Sequence, residues 1–298
     1  MEDLKVTVAS LRSVLADPQV NLSLVKEACK YASDTGARLL VLPELMLTGH
    51  GGHQSMVDNA EPVPSGPLST EILRLSREHS LCICVGIAEK KHNMVYNSHM
   101  VADRGKYLGL QRKIYLSGDE YCYFGAGESV EVFDIGEIRF GIALCYDNHF
   151  PEIALIHSLN NVDLILAPHA ARCGRWEAKP TEEFRLKTIR DQQEVWEKVH
   201  RARAYDHNLY VLLCNAVGSS AGGLEGVEAI HAGTVMGIDP DGEVFLRTTA
   251  TDFTDEIVTV ELKSGKRKMN HPPTRNRRLD TVVRLLRRKL DCRQDWRA

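Results

Sequence analysis

Short apolar runs of strand length alternate with amphipathic segments of helix length along most of this chain. No other feature constrains its fold as much, because strands followed by helices that cover their faces build a layered α/β structure. Residues 4–11 read as a strand and 21–35 as a helix, with Leu22, Val25, Ala28, Cys29 and Ala32 on one side. Residues 38–43 form a short buried strand stopped by Pro43, and a helix over 68–79 leads into a strand over 81–88. Strands at 95–101 and 107–112 flank Asp103-Arg104-Gly105, a hairpin turn. A second hairpin joins 130–135 to 138–144 around Gly136-Glu137. Beyond it come a helix at 152–158, a strand at 162–167, a helix at 195–205 and a strand at 209–213. Two strands around Asp239-Pro240-Asp241-Gly242 and a last one at 257–262 complete the series. No Gly/Ser/Pro-rich linker and no solenoid-length repeat interrupts it, so one domain is expected over residues 1–265.

Residues 266–298 form a basic extension containing Arg275, Arg277, Arg278, Arg284, Arg287, Arg288 and Lys289. Such a run can bind nucleic acid or acidic membrane. Leu279, Val282, Val283 and Leu286 recur between the charges at helical spacing, which favours a helix packed on the body or on a partner subunit. The formal net charge of the whole chain is only -3, with 43% hydrophobic and 26% charged residues, so nothing global points to nucleic acid. No apolar run reaches membrane-span length, and the N-terminal residues lack a secretion-signal pattern. A cytoplasmic protein with no membrane partner is the expectation. The eight cysteines have no framework spacing, which suggests reduced thiols. Cys82 and Cys84 share one strand face and read as packing residues. No zinc-ligand spacing is present, so neither metal nor cofactor is expected.

Cys145 ends the apolar run 138–144, and Phe150-Pro151-Glu152-Ile153 looks like a helix start a few residues later. A thiol on such a strand–elbow–helix is either a nucleophile beside the positive end of a helix or a small buried hydrophobe. A nucleophile needs a base and an oxyanion stabiliser. No histidine announces itself as that base: His149, His169, His207 and His231 are each plausible. Glu44 ends the strand Leu40-Val41-Leu42-Pro43, and Lys113 follows the strand at 107–112. Active sites of α/β sheets collect at the carboxyl ends of strands.

Leu42-Pro43-Glu44, Arg112-Lys113-Ile114-Tyr115-Leu116 and Ala143-Leu144-Cys145-Tyr146-Asp147 resemble, in order and spacing, the three signature segments of the nitrilase (carbon–nitrogen hydrolase) superfamily. Tyr96-Asn97, residues 120–127 with Glu120, and Arg201-Ala202-Arg203-Ala204 followed by Asn208 to Asn215 are similar to further family segments, so the resemblance runs from about Val6 to Leu262. It implies a single four-layer α-β-β-α sandwich, commonly paired into dimers, that cleaves a non-peptide C–N bond of a small linear amide or N-carbamoyl compound. It makes Cys145 the nucleophile, Glu44 the general base, and Lys113 with the Tyr146 backbone N–H the oxyanion stabilisers. Glu120 positions Lys113 and substrate. The physical expectations attached to these roles are a thiol favoured as thiolate by the nearby cation and helix start, and a Glu44 pKa raised by apolar surroundings.

Substrate identity is where the resemblance thins. Omega-amidase-like members resemble Cys-Tyr-Asp-x-Arg-Phe-Pro-Glu, with an arginine that can pair a substrate carboxylate. Here Asn148-His149 follows Asp147, so His149 stands in the arginine position. A nitrilase usually has Trp-Glu after its cysteine, and Tyr146-Asp147 departs from that. The segment after Pro168 is long, and its stretch from Cys173 to Glu194 is polar and charge-rich, either a solvated surface excursion or a lid carrying Trp176 over a pocket. His169, Arg172 and Trp176 are candidate lining residues there, with arginine suited to a carboxylate and tryptophan to an apolar or cationic group. Nitrile hydrolysis, acyl transfer to an amine at the same site and a catalytically silent binding protein remain as alternatives.

Overall fold

The computed structural model describes residues 1–172, 181–227, 230–248, 253–268 and 270–294. Five strands come first: β1 (Leu4–Ser10), β2 (Leu39–Val41), β3 (Cys82–Lys91), β4 (Met94–Asp103) and β5 (Lys106–Arg112). Then follow β6 (Val132–Asp134), β7 (Arg139–Ile142), β8 (Leu164–His169) and β9 (Tyr210–Asn215). A small ribbon pairs β10 (Val217–Ser219) with β11 (Ile230–Ala232), ahead of β12 (Val235–Ile238), β13 (Val244–Arg247) and β14 (Glu256–Leu262). One sheet has the order β14-β1-β2-β3-β4-β5 and the other β13-β12-β9-β8-β7-β6. Both follow the same scheme, in which three parallel strands (β1, β2 and β3; β7, β8 and β9) are flanked by antiparallel ones.

Alternation along the strands builds the layers. Val6, Val8, Leu39, Val41, Cys82 and Cys84 of the first sheet meet Phe140, Leu164, Leu166, Leu212 and Cys214 of the second in one cluster. The intervening residues Leu40, Leu42, Ile83 and Val85 pack outward under helices α1 (Pro18–Asp34) and α3 (Pro67–Glu78); a short α2 (Ser55–Asp58) lies between these helices in the chain. On the second sheet Ile165, Ala167, Val211 and Leu213 do the same under α4 (Pro151–Leu159) and α5 (Glu182–His207). Strands buried on both faces need apolar residues at every position, which is why β2 and β8 read as unbroken runs. The result is the expected four-layer α-β-β-α sandwich, and Cys82 and Cys84 fill the space between its sheets.

Element boundaries differ from expectation in two informative places. Helix α1 starts at Pro18 because proline fits the first helical turn and the Asp17 side chain accepts from the Val20 N–H. Helix α5 starts at Glu182, so residues 182–194 are not a surface excursion but its first half, capped by Thr181. Its mainly polar composition disguised it, since only Ile189, Gln193, Trp196, His200, Ala204 and His207 are buried. The remainder of that 173–194 stretch, residues 173–180 with Trp176, lies outside the described residues.

Helices α6 (Pro272–Arg275) and α7 (Leu279–Gln294) follow the last strand. The junction is tied to the body: Lys266 pairs with Asp239, and Arg267 Nε donates to the Asn208 carbonyl at 2.9 Å. Val282, Val283, Leu285 and Leu286 of α7 are exposed, so this apolar face does not pack on the body of its own chain. Among the described residues no helix is long and apolar enough to cross a membrane.

Candidate active site

Three strand tips and one turn converge in a buried polar cluster. Glu44 follows β2, Lys113 follows β5, Cys145 follows β7, and Glu120 sits in a 3-10 turn over Gly118–Cys122. Glu44, Lys113 and Glu120 are all at most 1% exposed. Cys145 is half-buried, and its backbone adopts φ 44°. That left-handed conformation is unusual for a residue with a Cβ and turns the chain sharply from strand into the following 3-10 turn.

Lys113 Nζ donates to Glu44 Oε1 at 2.8 Å and to Glu120 Oε1 and Oε2 at 2.8 and 2.7 Å. Asn97 Nδ2 bridges the same two carboxylates at 2.8 and 3.0 Å. The Ala170 N–H, just past β8, donates to Glu44 Oε2 at 2.7 Å. Ser117 N–H and Oγ–H both donate to Glu120 Oε2 at 2.8 Å. Every carboxylate oxygen therefore has a donor, as burial of charge requires.

Burial raises the Glu44 pKa, but the Lys113 ammonium outweighs it and leaves the group below the ordinary glutamate value. This overturns the expectation of a raised Glu44. Glu120 behaves alike: burial raises it, while His50 and Lys113 pull it down further. Burial by itself would depress Lys113, yet the neighbouring Glu44 and the other anionic groups hold it well above the usual lysine range. Cys145 corrects the second expectation. Burial and the Glu44 carboxylate push the thiol well above its usual value, and Lys113 only partly opposes them. The resting site thus holds an ionised Glu44, an ammonium and a protonated thiol.

A network of backbone bonds fixes the elbow. Asp147, buried beside it, accepts from Tyr115 N–H at 2.7 Å, Ile114 N–H at 3.2 Å and Leu144 N–H at 3.3 Å, joining the Lys113 segment to the Cys145 segment. Burial pushes its pKa up to about 7 against those three N–H donors. Asn148, expected near substrate, spends its amide on the Ala143 and Cys145 carbonyls at 2.7 and 3.0 Å. It shapes the elbow.

The other candidates are distributed around this centre. Tyr146 is exposed and meets Phe150 edge-on; His149, also exposed, lies against Tyr146. His169 is buried, donates from Nδ1 to the Ala167 carbonyl at 2.8 Å, and packs edge-on against Trp196 and His200. Desolvation lowers it to about 4, so it is neutral at pH 7. Arg172 is not a free cation: its Nη2 donates to Asp119 Oδ1 at 2.7 Å. His207 lies at the end of α5 against Arg277, and His231 is buried with its Nδ1 3.3 Å from the Ala171 carbonyl.

Sequence reasoning missed His50. It is buried, and its Nε2 lies 3.6 Å from Glu120 Oε1. Five residues separate it from Glu44 in a loop with no periodic signal, and only the fold folds that loop back. Glu44, His50 and Glu120 place ligand-type atoms within 4.8 Å of one another. Lys113 Nζ already holds the cationic position between the two carboxylates, so the donor set is matched to an ammonium rather than to a metal ion.

Comparison with known proteins assigns the chain to a family. The carbon–nitrogen hydrolase family profile matches residues 5–268. A nitrilase from Pyrococcus abyssi is 33% identical over 167 residues, covering 55% of this chain and 64% of that protein, just under two thirds of its length. A chloroplastic omega-amidase from Arabidopsis thaliana is 28% identical over 299 residues, covering 94% of this chain and 74% of that protein. In three dimensions the chain resembles the amidase from Nesterenkonia sp. AN1, in a variant with the acetamide moiety of fluoroacetamide covalently added at its active site cysteine. That likeness has a TM-score of 0.77 at 20% identity, covers 95 or 94% of this chain in related structures of that amidase, and is one of fold. The profile, spanning nearly the whole described body, places this chain in the carbon–nitrogen hydrolase family.

Proposed function

We propose that this protein hydrolyses a non-peptide C–N bond in a small linear amide or N-carbamoyl compound, with Cys145 as nucleophile. The observation that carries the reading is the buried contact of Lys113 with Glu44 and Glu120, close enough to Cys145 for all three charges to act on its thiol. In the first step Glu44 takes the thiol proton as Cys145 Sγ attacks the carbonyl carbon. The developing oxyanion is met by Lys113 and the Tyr146 backbone N–H. Glu44 then returns the proton to the departing nitrogen, ammonia leaves, and a thioester remains. Water, deprotonated by Glu44, attacks that thioester; the C–S bond breaks and the thiol is restored. The net reaction is amide plus water to acid plus ammonia; an N-carbamoyl compound plus water gives instead an amine, ammonia and carbon dioxide, because the carbamic acid that is released breaks down.

A protonated thiol beside an ionised carboxylate suits this order of events. The nucleophile is generated only when a base lies next to it, and the ammonium already stands where negative charge develops. Glu120 holds Lys113 rather than reacting. His169 and Arg172 belong to the mouth of the site in this reading, Asn148 and Asp147 to its frame. We further read the protein as a cytoplasmic homodimer with residues 266–298 as an appended segment. Cys29, Cys82, Cys84, Cys122, Cys145 and Cys214 are free thiols, which fits a reducing compartment, and the exposed apolar face of α7 fits a partner copy.

The test is a panel of linear amides, N-carbamoyl compounds and nitriles, with ammonia and carbon dioxide both measured, for the full chain and Cys145→Ala. Ammonia from an amide, lost in the folded variant, is the expected result. Carbon dioxide in addition identifies a carbamoyl substrate. Ammonia from nitriles alone would replace the amidase reading, and hydrolysis that survives Cys145→Ala would end it.

A further inference from the structure

Asp119 and Arg172 close a salt bridge of 2.7 Å, with about a third of each side chain exposed. Both hang from segments that hold the buried cluster. Asp119 immediately precedes Glu120, and Arg172 lies two residues beyond Ala170, whose N–H bonds Glu44. A third segment meets them at Gly52, two residues after His50. A Cβ added there would stand 2.2 Å from Asp119 Oδ2 and 2.9 Å from Arg172 Nη1. Tyr123 Oη–H donates to the Gly52 carbonyl at 3.3 Å. The Arg172 backbone also pairs with that of His231 in an isolated antiparallel β-bridge, and the His231 ring meets His50 edge-on. Three loops around the site are thus brought together over one ion pair.

We propose that Asp119 and Arg172 form a charge filter at the mouth of the Cys145 site, selecting uncharged acyl chains over carboxylate-bearing ones. A guanidinium offers a fork matched to a carboxylate. Here Asp119 holds that fork. As part of the same chain, it competes at a high effective concentration against any free carboxylate. An acidic molecule that displaced it would then face the released Asp119 charge as well as the buried cluster, where Glu44, Glu120 and Lys113 sum to one negative charge. A neutral amide competes for nothing. The bridge is partly solvated and therefore weak enough to exchange, so it biases entry rather than barring it. Calling the selected molecule a substrate rests on the hydrolase reading; the filter itself concerns any small molecule that reaches the thiol.

Alkylation of Cys145 by iodoacetamide and by iodoacetate, reagents of similar size that differ in charge, tests this without turnover. Peptide mass spectrometry counts Cys145 separately from the exposed Cys122, and each rate is normalised to that of free cysteine with the same reagent. The native protein should favour iodoacetamide. Asp119→Asn frees the fork and should lower that preference about tenfold, equivalent to about 1.4 kcal/mol. Arg172→Gln leaves Asp119 unpaired and should raise it. Shifts of the two variants in opposite directions support the filter; shifts in the same direction, or none beyond about twofold, overturn it. Asp119→Ser replaces Asp119→Asn if that variant does not fold. Because alkylation needs no hydrolysis, an amide panel without turnover would remove the hydrolase reading and leave this result standing on its own.

Discussion

Replacing Lys113 with methionine keeps most of the side-chain volume and removes the ammonium between Glu44 and Glu120. Three hydrogen bonds of 2.7 to 2.8 Å disappear, and two buried carboxylates are left with Asn97, Ala170 and Ser117 as donors and with His50 beside Glu120. Breaking a buried pair from one side costs about 3–5 kcal/mol. Against a total stability of about 5–15 kcal/mol the variant should still fold. In the native protein the two glutamates have pKa values below the ordinary one. Their contribution to stability is therefore present above the unfolded pKa and is lost as pH falls through the lower native value. Without Lys113, burial and the neighbouring Glu120 charge raise Glu44, so in the variant this carboxylate favours folding at low pH and opposes it as pH rises through its new value. The stability gap between native and Lys113→Met should be widest near neutral pH and narrow towards the carboxylate range. Urea denaturation at several values between about pH 5 and pH 8 measures it, with activity falling by at least about 10²–10³ from the lost oxyanion partner. A gap below about 1 kcal/mol at neutral pH, or one that does not change with pH, would refute the electrostatic argument.

Gly86→Ala should damage the site from the far side, because the new Cβ would lie 2.1 Å from Leu45 N and 2.6 Å from the Glu44 carbonyl carbon. Overpacking against backbone costs about 1–3 kcal/mol or more and moves the Glu44 tip; thermal melting and kcat should fall together, and an unchanged kcat would show that this tip tolerates displacement. Asp147→Asn removes a carboxylate whose native pKa is raised to about 7. A raised acid contributes its stability fully below its unfolded pKa and loses it as pH rises through the native value, so native minus variant stability should decline from about pH 4 to about pH 7 in paired denaturation curves; a flat difference would mean that Asp147 does not titrate there.

Much of this molecule was legible one segment at a time. Leu42-Pro43-Glu44 and Leu144-Cys145 each announce a buried strand with a polar residue at its tip, because strand burial and strand termination are local patterns. The layers followed too, since β2 and β8 must be covered on both faces. Local pattern failed where the signal was compositional, as at α5, whose polar surface hid a helix start at Glu182. Arg172 was a cation in the sequence and became half of an ion pair in the fold.

The sequence by itself determined a layered α/β fold and the order in which a carboxylate, an ammonium and a thiol reach its strand ends, and its resemblance to a family implied the sandwich. Only the tertiary structure decided their charges. Glu44 is lowered rather than raised because Lys113, sixty-nine residues on, meets it in a place without water, and Cys145 stays protonated because burial and that same Glu44 outweigh the lysine. Desolvation and Coulomb attraction depend on what the assembled core brings together and what it excludes, and no stretch of chain carries either alone.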